Sequence, residues 1–224
     1  MGNNILVIAA HPDDELLGCG GTIAKHIRNG DNVCFVIVCE GSSHRGGDQE
    51  DNEQHHALLA AKILGVQDVK MLGFPDQKLD TYTLTEIITP LEEIVNSFRP
   101  SIVYCQYGGD INRDHELLFK AIMVAVRPTV EFIDSVYAFD TASSTEWAYP
   151  RSFTPDTWVD INDTLELKLE AMSCYKSELC DYPHPRSLKG LENKAKAWGN
   201  QACMEAAEVF MTIRRSLRND KTPV

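Results

Sequence analysis

His11 and Asp14 stand three residues apart directly after a short apolar run, in the stretch Ala10-His11-Pro12-Asp13-Asp14-Glu15. On a turn that enters a helix, an i, i+3 spacing can bring both side chains to one side, and Pro12 suits a helix entrance because its ring fixes the backbone there. A catalytic zinc centre takes three ligands from His, Asp or Glu and keeps one position for water. His115, in Asp110-Ile111-Asn112-Arg113-Asp114-His115, can supply the third ligand from the start of a later helix. Asp13 would then sit beside the water as general base: a metal lowers that water's pKa toward about 7, so a carboxylate suffices to take its proton. Asp114 can orient an imidazole as an outer acceptor. A plainer reading stands beside this one. An Asp-Asp-Glu cluster after a strand is also what a solvated helix N-terminus carries, because carboxylates favour the helix dipole. His26, His55 and His56 read as surface or helix-face residues, and His44 is not assigned.

The elements that must position these groups alternate. Apolar, branched runs at Asn4 to Ala10, Val33 to Cys39, Val69 to Leu72 and Ile102 to Cys105 read as buried strands. Helical spacing follows each: Leu16 to Ile27 stopped by Asn29-Gly30, then Ala57 to Leu64, Leu84 to Phe98 and Glu116 to Val126. Four such alternations predict an α/β fold with a mainly parallel sheet and helices on both faces. Sheets of that kind bind ligands outside the carboxyl ends of their strands. The clusters at His11 to Glu15, Gly41 to His44, Gly73 to Asp76 and Gly108 to His115 all fall there, so one edge gathers them. In the last third, Val130 to Phe139 and Thr157 to Ile161 read as further strands. Leu165 to Leu179 and Leu191 to Arg218 read as helices, joined by residues 180–187. No repeat or linker divides the chain, so a single domain over residues 1–224 is expected.

A net charge of −12 opposes nucleic acid or an anionic membrane as the main partner, since both reward a basic surface. Seven cysteines without a CxxC pair suggest reduced, mostly buried thiols. No leader precedes the first strand and no apolar run approaches the length of a membrane span. A cytoplasmic protein without membrane insertion is expected; association into a homo-oligomer is compatible with a sheet protein of this kind.

Ala10-His11-Pro12-Asp13-Asp14-Glu15 with Leu17-Gly18-Cys19-Gly20-Gly21-Thr22 resembles the signature of the LmbE-like, or PIG-L, deacetylases. The resemblance continues through Leu72 to Asp76, Asp110 to His115, Ser143 to Trp147, Lys168 to Tyr175, Pro183 to Ser187 and Ala207 to Phe210. It implies a Rossmann-like three-layer α/β sandwich and zinc-dependent removal of an N-acetyl group, typically from N-acetylglucosamine derivatives. By motif, it implies His11, Asp14 and His115 as zinc ligands, Asp13 as base and Asp114 as support for a histidine. Fe2+ or Co2+ also suits two histidines and a carboxylate.

The chain departs from the family at Asn112, where many members carry a histidine that helps stabilise the tetrahedral intermediate. A neutral amide can donate to an oxyanion but cannot shuttle a proton to the leaving amine. His184, held between Pro183 and Pro185, is a candidate to supply the missing imidazole; the alternative is a structural turn over residues 183–187. Arg186 could grip a hydroxyl or phosphate, and Arg45 is the nearest basic candidate in the loop after the second strand. Asp76 joins the substrate-binding set. Trp147 could stack on a pyranose face or belong to the core. The expected partner is a small N-acetylated sugar, sugar nucleotide or glycoside. Two other readings are a deacylase of a non-sugar amide and a non-catalytic nucleotide- or sugar-binding module. Against the module, Gly18, Gly20 and Gly21 lie beyond the acidic turn and are not spaced for a pyrophosphate.

Overall fold

The computed structural model describes residues 2–41 and 53–217. Arg45, His44 and residues 49–52 lie outside the described residues. The strands are β1 (Asn4–Ala9), β2 (Asn32–Cys39), β3 (Asp68–Phe74), β4 (Ile102–Gln106), β5 (Ser135–Phe139), β6 (Thr157–Asp160) and β7 (Ala207–Arg215). The helices are α1 (Asp14–Arg28), α2 (Glu53–Leu64), α3 (Leu84–Phe98), α4 (Arg113–Ala125), α5 (Leu165–Met172) and α6 (Leu188–Gln201). One sheet runs β3-β2-β1-β4-β5-β7-β6, parallel throughout except that β7 is antiparallel to both its neighbours.

Alternation along β1 builds the three layers, because successive side chains point to opposite faces. Ile5 and Val7 join Phe35, Tyr104 and Phe210 under α1, α2 and α5. Leu6 and Ile8 join Val36, Val103 and Cys105 under α3 and α4. From β1 the chain passes first to β2 on one side and later to β4 on the other. That reversal is a topological switch point, where α/β sheets open a crevice at their carboxyl ends. β1 delivers His11 to it and β4 delivers the turn that leads to His115.

The carboxyl-terminal third departs from the sequence expectation. The helix expected over Leu191 to Arg218 is α6 followed by β7, a strand inserted between β5 and β6. β7 is buried over Ala207 to Phe210, and a strand covered on both faces loses the alternation that distinguishes it from a helix. The helix expected over Leu165 to Leu179 ends at Met172, and the strand expected from Val130 begins at Ser135.

Glu208 of β7 repairs a break in α1. Cys19 has non-helical angles, and the amides of Gly21 and Thr22 donate to the Glu208 carboxylate at 2.9 and 2.7 Å. Lys168 of α5 closes the other side, donating to the Leu17 carbonyl at 3.1 Å and to Glu208 at 2.6 Å. Gly18 lets the helix approach the sheet: a Cβ there would lie 2.1 Å from the Phe139 ring. Lys168→Met should lower unfolding stability by about 3–5 kcal/mol, because it leaves the buried Glu208 charge without its cation. Urea unfolding measures this; an unchanged midpoint would deny the pair a role in holding α1.

Candidate metal centre and active site

The first turn after β1 is tied to the end of β4. Gln106, fully buried, accepts from the Ala10 amide at 2.5 Å and donates to Asp14 Oδ2 at 2.7 Å. The His11 amide donates to the same oxygen at 2.9 Å. Asp14 is thereby aimed at two imidazoles. His11 Nδ1 and His115 Nε2 lie 3.2 Å apart, and each is 3.3 Å from Asp14 Oδ2. Burial raises the Asp14 carboxyl, but the two imidazoles outweigh it and hold it well below the usual carboxylate range.

These three atoms fit a metal. Ligands on bonds of about 2.0–2.1 Å at tetrahedral angles sit about 3.3–3.4 Å from one another, which is the triangle observed. The far side of each ring fits as well, since metal-bound imidazoles present their other nitrogen to a carboxylate. His11 Nε2 is 3.2 Å from both Asp114 Oδ2 and Asp76 Oδ1. His115 Nδ1 is 3.2 Å from Asp110 Oδ2. Asp110 is itself held by the Asn112 amide at 2.9 Å, by Thr145 Oγ1 at 2.9 Å and by Ser144 Oγ. Asp114 thus supports His11, across the crevice, rather than its sequence neighbour; its Oδ1 accepts from the Leu79 amide at 3.1 Å.

Asp13 occupies the helix N-cap without capping. Its side chain accepts no amide of the first turn, and its Oδ2 is buried with no hydrogen-bond partner. Arg186 Nη1, 3.6 Å away, is the nearest cation, itself bonded to Glu178 at 2.6 Å. Burial pushes the Asp13 carboxyl well above its usual range, Asp14 and Glu178 push it further, and Arg186 offsets part of the rise.

A cavity of about 460 Å³ opens over these groups, with Asp76, Asn112, Trp147, Glu178 and Arg186 in its wall. Asn112 caps α4, its Oδ1 accepting from the Asp114 amide at 2.9 Å, which leaves the amide nitrogen as its remaining donor. Trp147 is 44% exposed, so it is a rim residue and not part of the core. His184 is not among the residues of the cavity wall. Its Nδ1 accepts from the Arg186 amide at 3.1 Å, and its ring stands edge-on to Trp147 with centroids 5.6 Å apart. Sequence reasoning passed over Gln106, Asp110 and Glu178. Gln106 had a signal, a lone amide closing a buried strand. Asp110 opens the second motif, whereas Glu178 lay within an expected helix.

Removing the amide that aims Asp14 should weaken the metal more than the fold. Gln106→Ala is expected to lower metal affinity about 10- to 100-fold, read by competition with a chelator. Unchanged affinity would mean that Asp14 needs no such support.

Two histidines and a carboxylate placed to hold a metal ion stand beside a cavity that Asp13 also lines, on a mainly parallel α/β sandwich. The profile of the PIG-L family, described as GlcNAc-PI de-N-acetylase, matches residues 6–126, and the chain belongs to that family. An uncharacterized deacetylase, YaiS, of Escherichia coli K12 is 31% identical over 179 residues, covering 77% of this chain and 90% of that protein. The diacetylchitobiose deacetylase of Thermococcus kodakarensis is 29% identical over 190 residues, covering 78% and 69%. Among solved structures, the conserved protein TT1542 of Thermus thermophilus superposes with a TM-score of 0.79 at 22% identity, over 99% and 100% of the two chains.

Proposed function

We propose that the protein is a metal-dependent N-deacetylase that hydrolyses the acetamide of a small sugar or sugar conjugate, releasing acetate and a free amine. The observation that carries this reading is the buried Asp13 carboxylate, whose Oδ2 has no hydrogen-bond partner and an arginine 3.6 Å away, beside the triangle of His11, Asp14 and His115. The name of the Thermococcus kodakarensis relative, a diacetylchitobiose deacetylase, supports the substrate class. His11, Asp14 and His115 are the proposed ligands. Zn2+ is the proposed metal, and Fe2+ or Co2+ also suits the donor set. When bound, the metal acts as a Lewis acid that acidifies water and polarises a carbonyl.

The chain's own residues do the rest. Asp13 takes a proton from the attacking water as its oxygen bonds to the acyl carbon. The amide group of Asn112 donates to the oxygen that gains charge. The proton held by Asp13 passes to the nitrogen as the carbon–nitrogen bond breaks. Arg186 steadies Asp13, and Trp147 at the rim offers an aromatic face to a pyranose ring. His184 acts through Trp147, whose ring it contacts. Residues of both chain ends meet in one sheet, β1 near the centre and β7 beyond it, which supports a single domain over 1–224. The free cysteines and the acidic charge support a cytoplasmic protein with no nucleic-acid partner. Among the described residues no helix is long and apolar enough to cross a membrane.

The test is acetate release across a panel of N-acetyl sugars, sugar nucleotides and glycosides, with and without chelator. Release that a chelator abolishes is expected. Tight sugar binding without acetate would instead favour a non-catalytic binding module.

A further inference from the structure

We propose that Glu15 and Tyr175 are positioning residues that turn Asp13 from a helix cap into a base. This inference rests on the reading of Asp13 given above. An aspartate at an N-cap ordinarily has extended backbone and folds its carboxylate back onto the first free amides of the helix. Asp13 instead has φ 108° and ψ −32°, a region that the Cβ of an L-residue disfavours. The consequence is a carboxylate whose buried Oδ2 has no hydrogen-bond partner, on a residue that lines the cavity.

Both ends of the residue are fastened in that conformation. Its carbonyl accepts from the amides of Leu16 and Leu17 at 3.0 and 2.9 Å. Its amide donates to Glu15 Oε2 at 3.1 Å, and the other oxygen of that carboxylate accepts from the Tyr175 hydroxyl at 2.6 Å. Glu15 and Tyr175 are wholly buried and neither belongs to the cavity wall. Glu15 therefore receives the amide of a residue that lines the cavity, and the Tyr175 hydroxyl fixes Glu15 in turn.

Tyr175 also sets the carboxylate's cation. Its carbonyl accepts from the amides of Glu178 and Leu179 at 3.1 and 3.2 Å, so the turn that seats the phenol seats Glu178. Glu178 holds Arg186 at 2.6 Å, and Arg186 stands 3.6 Å from Asp13 Oδ2. One segment after α5 thus governs Asp13 twice, through its backbone and through its charge.

Tyr175→Phe removes one hydroxyl and keeps the ring. Its turnover per bound metal should fall about 10- to 100-fold at unchanged KM and metal content, the penalty of a misplaced reacting group. A second reading needs neither metal nor activity. In metal-free protein, Asp13→Gly should melt several degrees above Asp13→Ala, although glycine is ordinarily the less stabilising of the two. The melting loss caused by Tyr175→Phe should shrink in the Asp13→Gly background, where no disfavoured conformation has to be held. Wild-type turnover in Tyr175→Phe, a turnover loss matched by an equal loss of metal, or the same melting loss in both backgrounds would overturn the proposal. If the wild-type protein releases no acetate, the deacetylase reading fails by itself and the melting cycle decides the positioning role.

Discussion

Asp13→Asn is expected to release acetate about 10²- to 10⁴-fold more slowly than the wild type, the range over which general bases contribute, while keeping its metal. Asparagine matches aspartate in size and tolerates a positive φ, so the turn that carries Asp14 should survive. What is lost is an oxygen able to take a proton. That oxygen is buried and unpartnered, and burial, with Asp14 and Glu178 adding to it, raises its proton affinity. The same features make Asp13 poor for stability, since its charge is withdrawn from water beside three other carboxylates, Asp14, Glu178 and Glu15, which Arg186 offsets only in part. The melting temperature of Asp13→Asn should therefore equal or exceed that of the wild type. Turnover within a fewfold of wild type at equal metal content would remove Asp13 from the reaction.

His115→Ala should lose the metal itself, and with it all measurable turnover. His115 contributes one vertex of the triangle, and without it Asp14 and His11 remain as two ligands only. The wild-type site should also load poorly in acid. Burial lowers the His115 pKa, but Asp14 and Asp110 more than reverse this and raise it from 6.5 to about 8. In the metal-free protein the protonated ring therefore adds stability that is full below pH 6.5 and lost as pH rises through about 8. A metal must displace that proton, so affinity should weaken as pH falls below about 8. Competition against a chelator at several pH values measures this. Against burial, the carboxylate neighbours of His11 raise its pKa as well, so affinity independent of pH over that window would show that neither imidazole gives up a proton to the metal.

The parallel half of the fold was legible because each of its strands is a short apolar run bounded by turn residues. The candidate ligands were legible because they stand just beyond the ends of β1 and β4, where a parallel sheet brings distant segments together. The hidden parts depend on tertiary partners. Glu208 looks out of place in a buried strand, and the broken helix α1 together with Lys168 of α5 explains it. Tyr175 and Glu178 continue an apolar helical pattern that stops at Met172, and their purpose emerges once α1 lies beside them. The role of Asp114 needed the crevice too: sequence placed it next to His115, and the fold sets it behind His11.

The most direct measurement is titration of the metal-free protein with Zn2+ while following acetate release from N-acetylglucosamine and N,N'-diacetylchitobiose. Release should begin from zero, rise in proportion to metal and level off at one equivalent per chain, with none from His115→Ala under the same conditions. Acetate released by the metal-free chain, or none released by the fully loaded chain from any N-acetylated sugar of the panel, would contradict the account.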